Sequence, residues 1–244
     1  MTYATKALEL AHRVAESQAE PVGRAAGLIV DALRAGGVVN AFGAGHSEAI
    51  AMEIAGRAGG LVPSNRLSPR DLVLYGGEPP GVLTSELERD PAIARRIYDL
   101  APVEPGDVFV LVSSSGVNGT VVELATIVKD RGHPLIAITS VEHSTRMTSR
   151  HPSGRRLLDL ADVVLDNGSP YGDSILELPG GGTYGAVSTI TSALLAQMVV
   201  TEAVERLAAL GETPPIYLSV NVTGGDEHNK ALESRYAGRI RRGA

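Results

Sequence analysis

Two glycine- and hydroxyl-rich turns hold the residues of this sequence best suited to chemistry. Asp107-Val-Phe-Val-Leu-Val112 empties into Ser113-Ser114-Ser115-Gly116-Val117-Asn118, and Val38-Val39-Asn40-Ala41-Phe42 empties into Gly43-Ala44-Gly45-His46-Ser47. Each turn is followed by a segment of helical periodicity. Hydroxyls and freely oriented backbone N–H groups, placed where a helix begins, make a cradle for a phosphate group because the positive end of the helix dipole points at the same spot. The same composition also serves simply to cap helices. Two such turns facing one pocket would bind a phosphorylated small molecule.

The elements that must position these turns alternate between strand and helix. Periodicity predicts two helices over 2–34, interrupted at Pro21, and then strands at 37–42, 60–63, 107–112, 134–139 and 162–166. Helices are expected at 84–99 and 118–131, with a helical turn from 143. A loop rich in proline and glycine covers 64–83, and a second covers 167–183. A long helix over 184–209, a short strand at 216–219 and a final helix from Asp226 complete the chain. Right-handed crossovers in such an alternation give a parallel sheet covered by helices on both faces, with ligands bound beyond the carboxyl ends of the strands.

Composition narrows the choices. The 244 residues suffice for one large domain, and no second is needed. Twenty-two basic against twenty-eight acidic residues give a net charge of −6. With no basic run, nucleic acid is not an expected partner. The chain has three lysines, Lys6, Lys129 and Lys230, none of them in either turn. Phosphate would therefore be held by amides, hydroxyls and dipoles, with Arg57 and Arg66 as possible helpers. Cysteine is absent, which removes disulfides and thiolate chemistry. No signal-peptide core or membrane span is evident, so a soluble cytoplasmic protein is expected. Glu48 replaces the third glycine of a dinucleotide fingerprint, there is no Gly-Lys-Ser/Thr triplet, and no zincin-like spacing of metal ligands occurs. No cofactor and no metal are expected.

A GxGxS turn after one strand and an SxSG turn after a later one resemble the SIS (sugar isomerase) domain, over roughly residues 30–180. The likeness extends to stand-alone SIS proteins of bacterial amino-sugar metabolism through Ser149-Arg150-His151-Pro152-Ser153-Gly154, Asp166-Asn167-Gly168-Ser169-Pro170-Tyr171-Gly172-Asp173 and Gly224-Gly225-Asp226-Glu227-His228-Asn229. The sequence is similar to N-acetylglucosamine-6-phosphate dehydratases among them. The resemblance implies a three-layer α/β/α sandwich with a central, mainly parallel five-stranded sheet. Residues 1–244 would form a single SIS domain with flanking helical extensions at 2–34 and 184–241. It implies a homodimer assembled through those helices.

The resemblance also assigns roles. Gly45, Ser47, Ser113, Ser114, Ser115, Gly116, Val117, Asn118 and Asn167 form the expected phosphosugar-binding set. A glutamate on the helix before the SxSG strand removes the proton next to the sugar carbonyl. Counting back from the turn makes Glu88 the closest match and Glu86 the runner-up, both expected in the first turn of the helix over 84–99 with Thr84 or Ser85 as its cap. Acids at such a position also simply complement the helix dipole. His46, after the first turn, and His228, in the first turn of a terminal helix capped by Asp226, are candidates for ring opening, since imidazole titrates near neutrality. His143 and His151 are expected to cap or stabilise loops. The resemblance implies a lyase that takes the C2 proton of an N-acetylhexosamine 6-phosphate and expels the C3 substituent, although no residue of the sequence separates elimination from isomerisation. The alternatives are an aldose–ketose isomerase or a non-catalytic phosphosugar sensor.

Overall fold

Five strands form one sheet in a computed structural model that describes residues 2–241. Met1 and residues 242–244 lie outside the described residues. Two helices, α1 (Tyr3–Ser17) and α2 (Ala19–Arg34), precede β1 (Val39–Gly43), and α3 (Glu48–Ile54) leads to β2 (Ser64–Leu67). A single turn, α4 (Asp71–Leu74), and two 3₁₀ turns at Pro80–Val82 and Ser85–Glu88 come before α5 (Ala92–Leu100). Next come β3 (Val108–Val112), α6 (Gly119–Asp130), β4 (Leu135–Thr139), α7 (Val141–Arg146) and β5 (Val163–Asp166). A hairpin of β6 (Ser174–Glu177) and β7 (Thr183–Ala186), the long α8 (Ser188–Ala209) and α9 (Gly225–Ser234) finish the chain.

The sheet order is β2-β1-β3-β4-β5, and every pairing is parallel. In register, Phe42 lies beside Leu111 and Gly43 beside Val112, so the turns after β1 and β3 start at the same level of the sheet. The strands are apolar on both faces, as a sheet covered by helices on each side demands. Along β3, Val108, Val110 and Val112 face a core built with α1, α2, α3 and α8, whereas Phe109 and Leu111 face a second core built with α4, α5 and α6. The three-layer sandwich expected from the sequence is the one observed.

Several boundaries differ from expectation. The second strand is 64–67, not 60–63. Leu61 instead forms an isolated antiparallel bridge with Ile216, which replaces the strand expected at 216–219. The helix expected over 84–99 is two elements, because the residue before a proline disfavours helical backbone and Asp90-Pro91 separates them. Glu86 and Glu88 therefore sit on a 3₁₀ turn rather than on α5, and Thr84 makes no side-chain cap there. The first helical pair breaks at Gln18, with Pro21 inside the first turn of α2, where a missing N–H does no harm. The loop expected at 167–183 holds β6 and most of the β6–β7 hairpin, tied to α1 by Tyr3 Oη donating to the Ala186 carbonyl at 2.6 Å and Lys6 Nζ to that of Ile175 at 2.9 Å.

Beyond α9, the chain lies across the edge strand β2. Asn65 donates to the Arg239 carbonyl at 2.9 Å and accepts from the Arg241 N–H at 2.7 Å. The Arg239 guanidinium reaches the buried carboxylate of Asp107 at 2.6 Å, and that of Arg241 lies over the Tyr75 ring and 3.7 Å from the buried Asp71.

Candidate functional site

The turns after β1 and β3 and the 3₁₀ turn Ser85–Glu88 surround a cavity of about 300 Å³. Eight of the expected site residues line it: Gly45, His46, Ser47, Glu88, Ser113, Ser114, Ser115 and Asn118. A wider cleft of about 520 Å³ opens beside it, with Gly45, His46 and Glu88 shared between the two.

The serine turn leaves hydroxyl hydrogens to give. Ser113 Oγ accepts from the Gly116 N–H at 3.1 Å, and Ser114 Oγ accepts from Asn167 Nδ2 at 3.1 Å. A hydroxyl that accepts from the protein still has its own hydrogen to give. Both serines are thus prepared to donate to an anion. Gly116 supports the turn with φ +62°, and a Cβ there would press against Ser144 and Thr139 at 3.1 Å.

Asn118 sits where α6 begins, yet its side chain does not cap that helix. Its Nδ2 instead donates to Glu88 Oε2 at 3.3 Å, and its Oδ1 accepts from the Arg150 guanidinium at 3.0 Å. Two consequences follow. The first N–H groups of α6 stay open toward Thr120 and Val121 in the cavity wall, where they favour an anion. The amide also fixes one oxygen of Glu88, because the arginine settles which end of Asn118 faces the carboxylate. The 3₁₀ turn that carries Glu88 is held in turn by Thr120 Oγ1, which donates to the Leu87 and Asp90 carbonyls.

Arg150 belongs to the Ser149–Gly154 segment. There His151 bridges Glu123 at 2.7 Å and Ser153 at 2.7 Å, so it stabilises a loop as expected, and the Arg150 N–H bonds to the Val117 carbonyl.

Other expected residues lie elsewhere. Glu86 points outward, largely exposed and paired with Arg89 at 3.3 Å. Asn167 is fully buried behind Ser114; its amide donates to Ser114 and Ser192, and its oxygen accepts from the Ser169 N–H, so it orients the turn without reaching the cavity. Gly116 and Val117 are buried behind the wall, and the Gly116 N–H is already used by Ser113. Arg57 pairs with Glu53, and Arg66 with Glu48 at 2.7 Å, so neither guanidinium is held out to a phosphate.

His228 is outside the cavity of its own chain. It is exposed, and its Nε2 lies 3.0 Å from the Ile216 carbonyl, beside the segment that precedes β2. Asp226 does not cap α9. Gly224 holds the cap position with φ +77°, and Asp226 pairs with Lys230 at 2.6 Å.

Sequence reasoning missed Thr120, His143, Asp173 and Ser188 in the cavity wall. Asp173 has φ +65°, the single non-glycine residue with positive φ among those described. It supplies the cap that α8 lacks: Oδ1 accepts from the Ser188 N–H at 2.8 Å and Oδ2 from its hydroxyl at 2.6 Å. A strained, non-glycine residue at a cavity wall is the kind of signal that marks functional positions, but it is invisible before the backbone is known.

A family profile described as "SIS domain" matches residues 2–140, more than half of the sequence. The chain belongs to the SIS-domain family. Among its relatives, UPF0309 protein lmo0025 of Listeria monocytogenes is 39% identical over 241 residues, spanning 98% of each chain. UPF0309 protein GK1441 of Geobacillus kaustophilus is 38% identical over 218 residues, spanning 89% of this chain and 86% of that one.

Solved structures share the SIS fold at low identity. A protein described as a putative phosphosugar isomerase involved in capsule formation, from Bacteroides fragilis, superposes with a TM-score of 0.57 at 18% identity, covering 94% of each chain. Phosphoheptose isomerase GmhA from Neisseria gonorrhoeae gives 0.54 at 17%, covering 82% of this chain and 94% of that one. The NanR protein of Vibrio vulnificus, solved with ManNAc-6P, gives 0.52 at 17%, covering 96% of this chain and 66% of that one. Among the described residues no helix is long and apolar enough to cross a membrane, and no group of three or more His, Asp or Glu side chains is placed to hold a metal ion.

Proposed function

We propose that this SIS-domain protein is a phosphosugar lyase, a dehydratase acting on N-acetylglucosamine 6-phosphate or a related hexosamine 6-phosphate. The observation that carries the reading is that one cavity joins a carboxylate held by Asn118 to a serine turn and helix start suited to phosphate. In the open-chain aldehyde the C2–H is acidic, because the carbanion is delocalised into C1=O. Glu88 takes that proton. Loss of the C3 oxygen substituent then gives an unsaturated aldehyde, whereas return of the proton to C1 would give a ketose. An acetamido group on C2 handicaps the ketose, which favours elimination. The ManNAc-6P bound by the V. vulnificus protein supports an N-acetylhexosamine 6-phosphate as the ligand class.

A second reading keeps the same base: as an aldose–ketose isomerase the protein would act like the phosphoheptose isomerase whose fold it shares. A part for His228 in either reaction requires the cavity of a second copy, and a homodimer belongs to the proposal.

The test is a panel of hexosamine and hexose 6-phosphates incubated in D₂O. Ultraviolet-absorbing product, ketose and deuterium at C2 are followed together. Glu88→Gln should lower turnover about 10²- to 10⁴-fold, the usual loss when a general base is removed. Glu86→Gln should leave turnover near the native rate. Full turnover in Glu88→Gln would overturn the assignment.

A further inference from the structure

Sequence pattern alone offers His143 no part beyond a loop, but its surroundings say otherwise. It lies on α7, just past the carboxyl end of β4, and it lines the cavity. The sheet order places the Ser113–Ser115 turn, after β3, between α7 and the β1 turn over which Glu88 lies. The ring is held in place. Ser140 Oγ accepts the His143 N–H at 3.0 Å and itself donates to the Ser169 carbonyl at 2.6 Å, which fixes the start of α7. The Tyr171 ring packs against the imidazole with centroids 5.2 Å apart.

The two ring nitrogens differ. Nδ1 is buried and has no hydrogen-bond partner, whereas Nε2 is not buried in this way and makes no hydrogen bond within the described residues. Burying an N–H without an acceptor is costly, and a lone pair that accepts no hydrogen bond is the better-tolerated orphan. The neutral ring therefore keeps its proton on Nε2, the open nitrogen, and offers a hydrogen-bond donor.

We infer that His143 is a catalytic hydrogen-bond donor to O1 of the sugar, stabilising the enolate that forms when C2 is deprotonated. This rests on the phosphosugar reading above but is indifferent to its outcome, since elimination and isomerisation share that enolate. In the step, the C2–H bond breaks and its proton goes to the Glu88 carboxylate. The freed pair becomes the C1=C2 π bond, and the C1=O π pair moves onto O1, where the Nε2–H of His143 meets it. A donor aimed at charge that develops in the transition state accelerates the step without being consumed.

The experiment measures wash-in of deuterium at C2 of N-acetylglucosamine 6-phosphate by NMR, before product release matters. His143→Ala should exchange about 10²- to 10³-fold more slowly than the native protein, the usual loss on removing one oxyanion donor. Its affinity for glucitol 6-phosphate, which has no carbonyl, and its melting temperature should stay near native. His143→Gln, which keeps an N–H donor, should recover part of the rate. Native exchange in His143→Ala overturns the inference alone. So does a parallel loss of exchange, glucitol phosphate binding and melting temperature, which would mark a structural residue. If the native protein exchanges no sugar phosphate of the panel at C2, the enolisation reading falls, and this inference with it.

Discussion

The carboxylate of Glu88 lies against the backbone of Gly45: a Cβ on residue 45 would sit 2.5 Å from Glu88 Oε1. Gly45 also has φ +54°, a conformation that other residues adopt only with strain. The turn after β1 thus shapes the floor beneath the proposed base, while Asn118, after β3, holds the other carboxylate oxygen.

Gly45→Ala should consequently fold but lose activity. The left-handed backbone should cost about 1–2 kcal/mol of stability, read by urea unfolding. Displacing Glu88 by about 1 Å should cost on the order of 10²-fold in turnover. Native turnover in a folded Gly45→Ala protein would show that Glu88 need not rest on this turn.

Asn167→Asp tests whether the serine turn is oriented from behind. The change keeps an acceptor for Ser169 but removes both N–H donors and buries a negative charge behind Ser114. Ser114 would then turn its hydrogen toward the new carboxylate and away from the cavity. One lost hydrogen bond to a charged ligand costs about 1.5–3 kcal/mol, so the Kd for a sugar phosphate should rise roughly tenfold or more by calorimetry. An unchanged Kd would remove Ser114 from the binding set.

Asp71 predicts a pH dependence of stability. Burial pushes its carboxyl up to about 6 from 3.8, against the pull of Arg66 at 3.6 Å and Arg241 at 3.7 Å. Because the folded value lies above the unfolded one, the folded state holds this proton more tightly. Its stabilisation is complete below about pH 3.8 and is lost as pH rises through about 6. The full span corresponds to about 3 kcal/mol. Urea unfolding at pH 4 to 7 should find Asp71→Asn gaining on the native protein by up to that amount as pH rises. A constant difference would mean that the arginines keep Asp71 ionised throughout.

The central strands were legible because they are buried on both faces, which writes an unbroken apolar run such as Val108–Val112. The strand β2 was not, because Ser64-Asn65-Arg66-Leu67 is polar. Its side chains are satisfied by Asn40 and Glu48, partners far along the chain that hydropathy does not register. The two glycine turns announced themselves through residue type, and counting back from the serines reached Glu88. His143 and Asp173 carry no such local mark. A six-residue helix and one strained φ angle bring them to the same cavity, and only the folded backbone shows that.

The arginines that follow α9 impose an order on the making of the molecule. Arg239 reaches back 132 positions to Asp107, and Arg241 reaches back 176 to Asn65. As the chain leaves the ribosome, the whole parallel sheet has been synthesised before either guanidinium exists, and until then Asp107 and Asp71 have no counter-ion from this segment. Closing loops of that length is slow compared with local helix formation. The edge strand β2 is therefore covered only after the residues beyond α9 have been made, and two carboxylates stand ready to receive them.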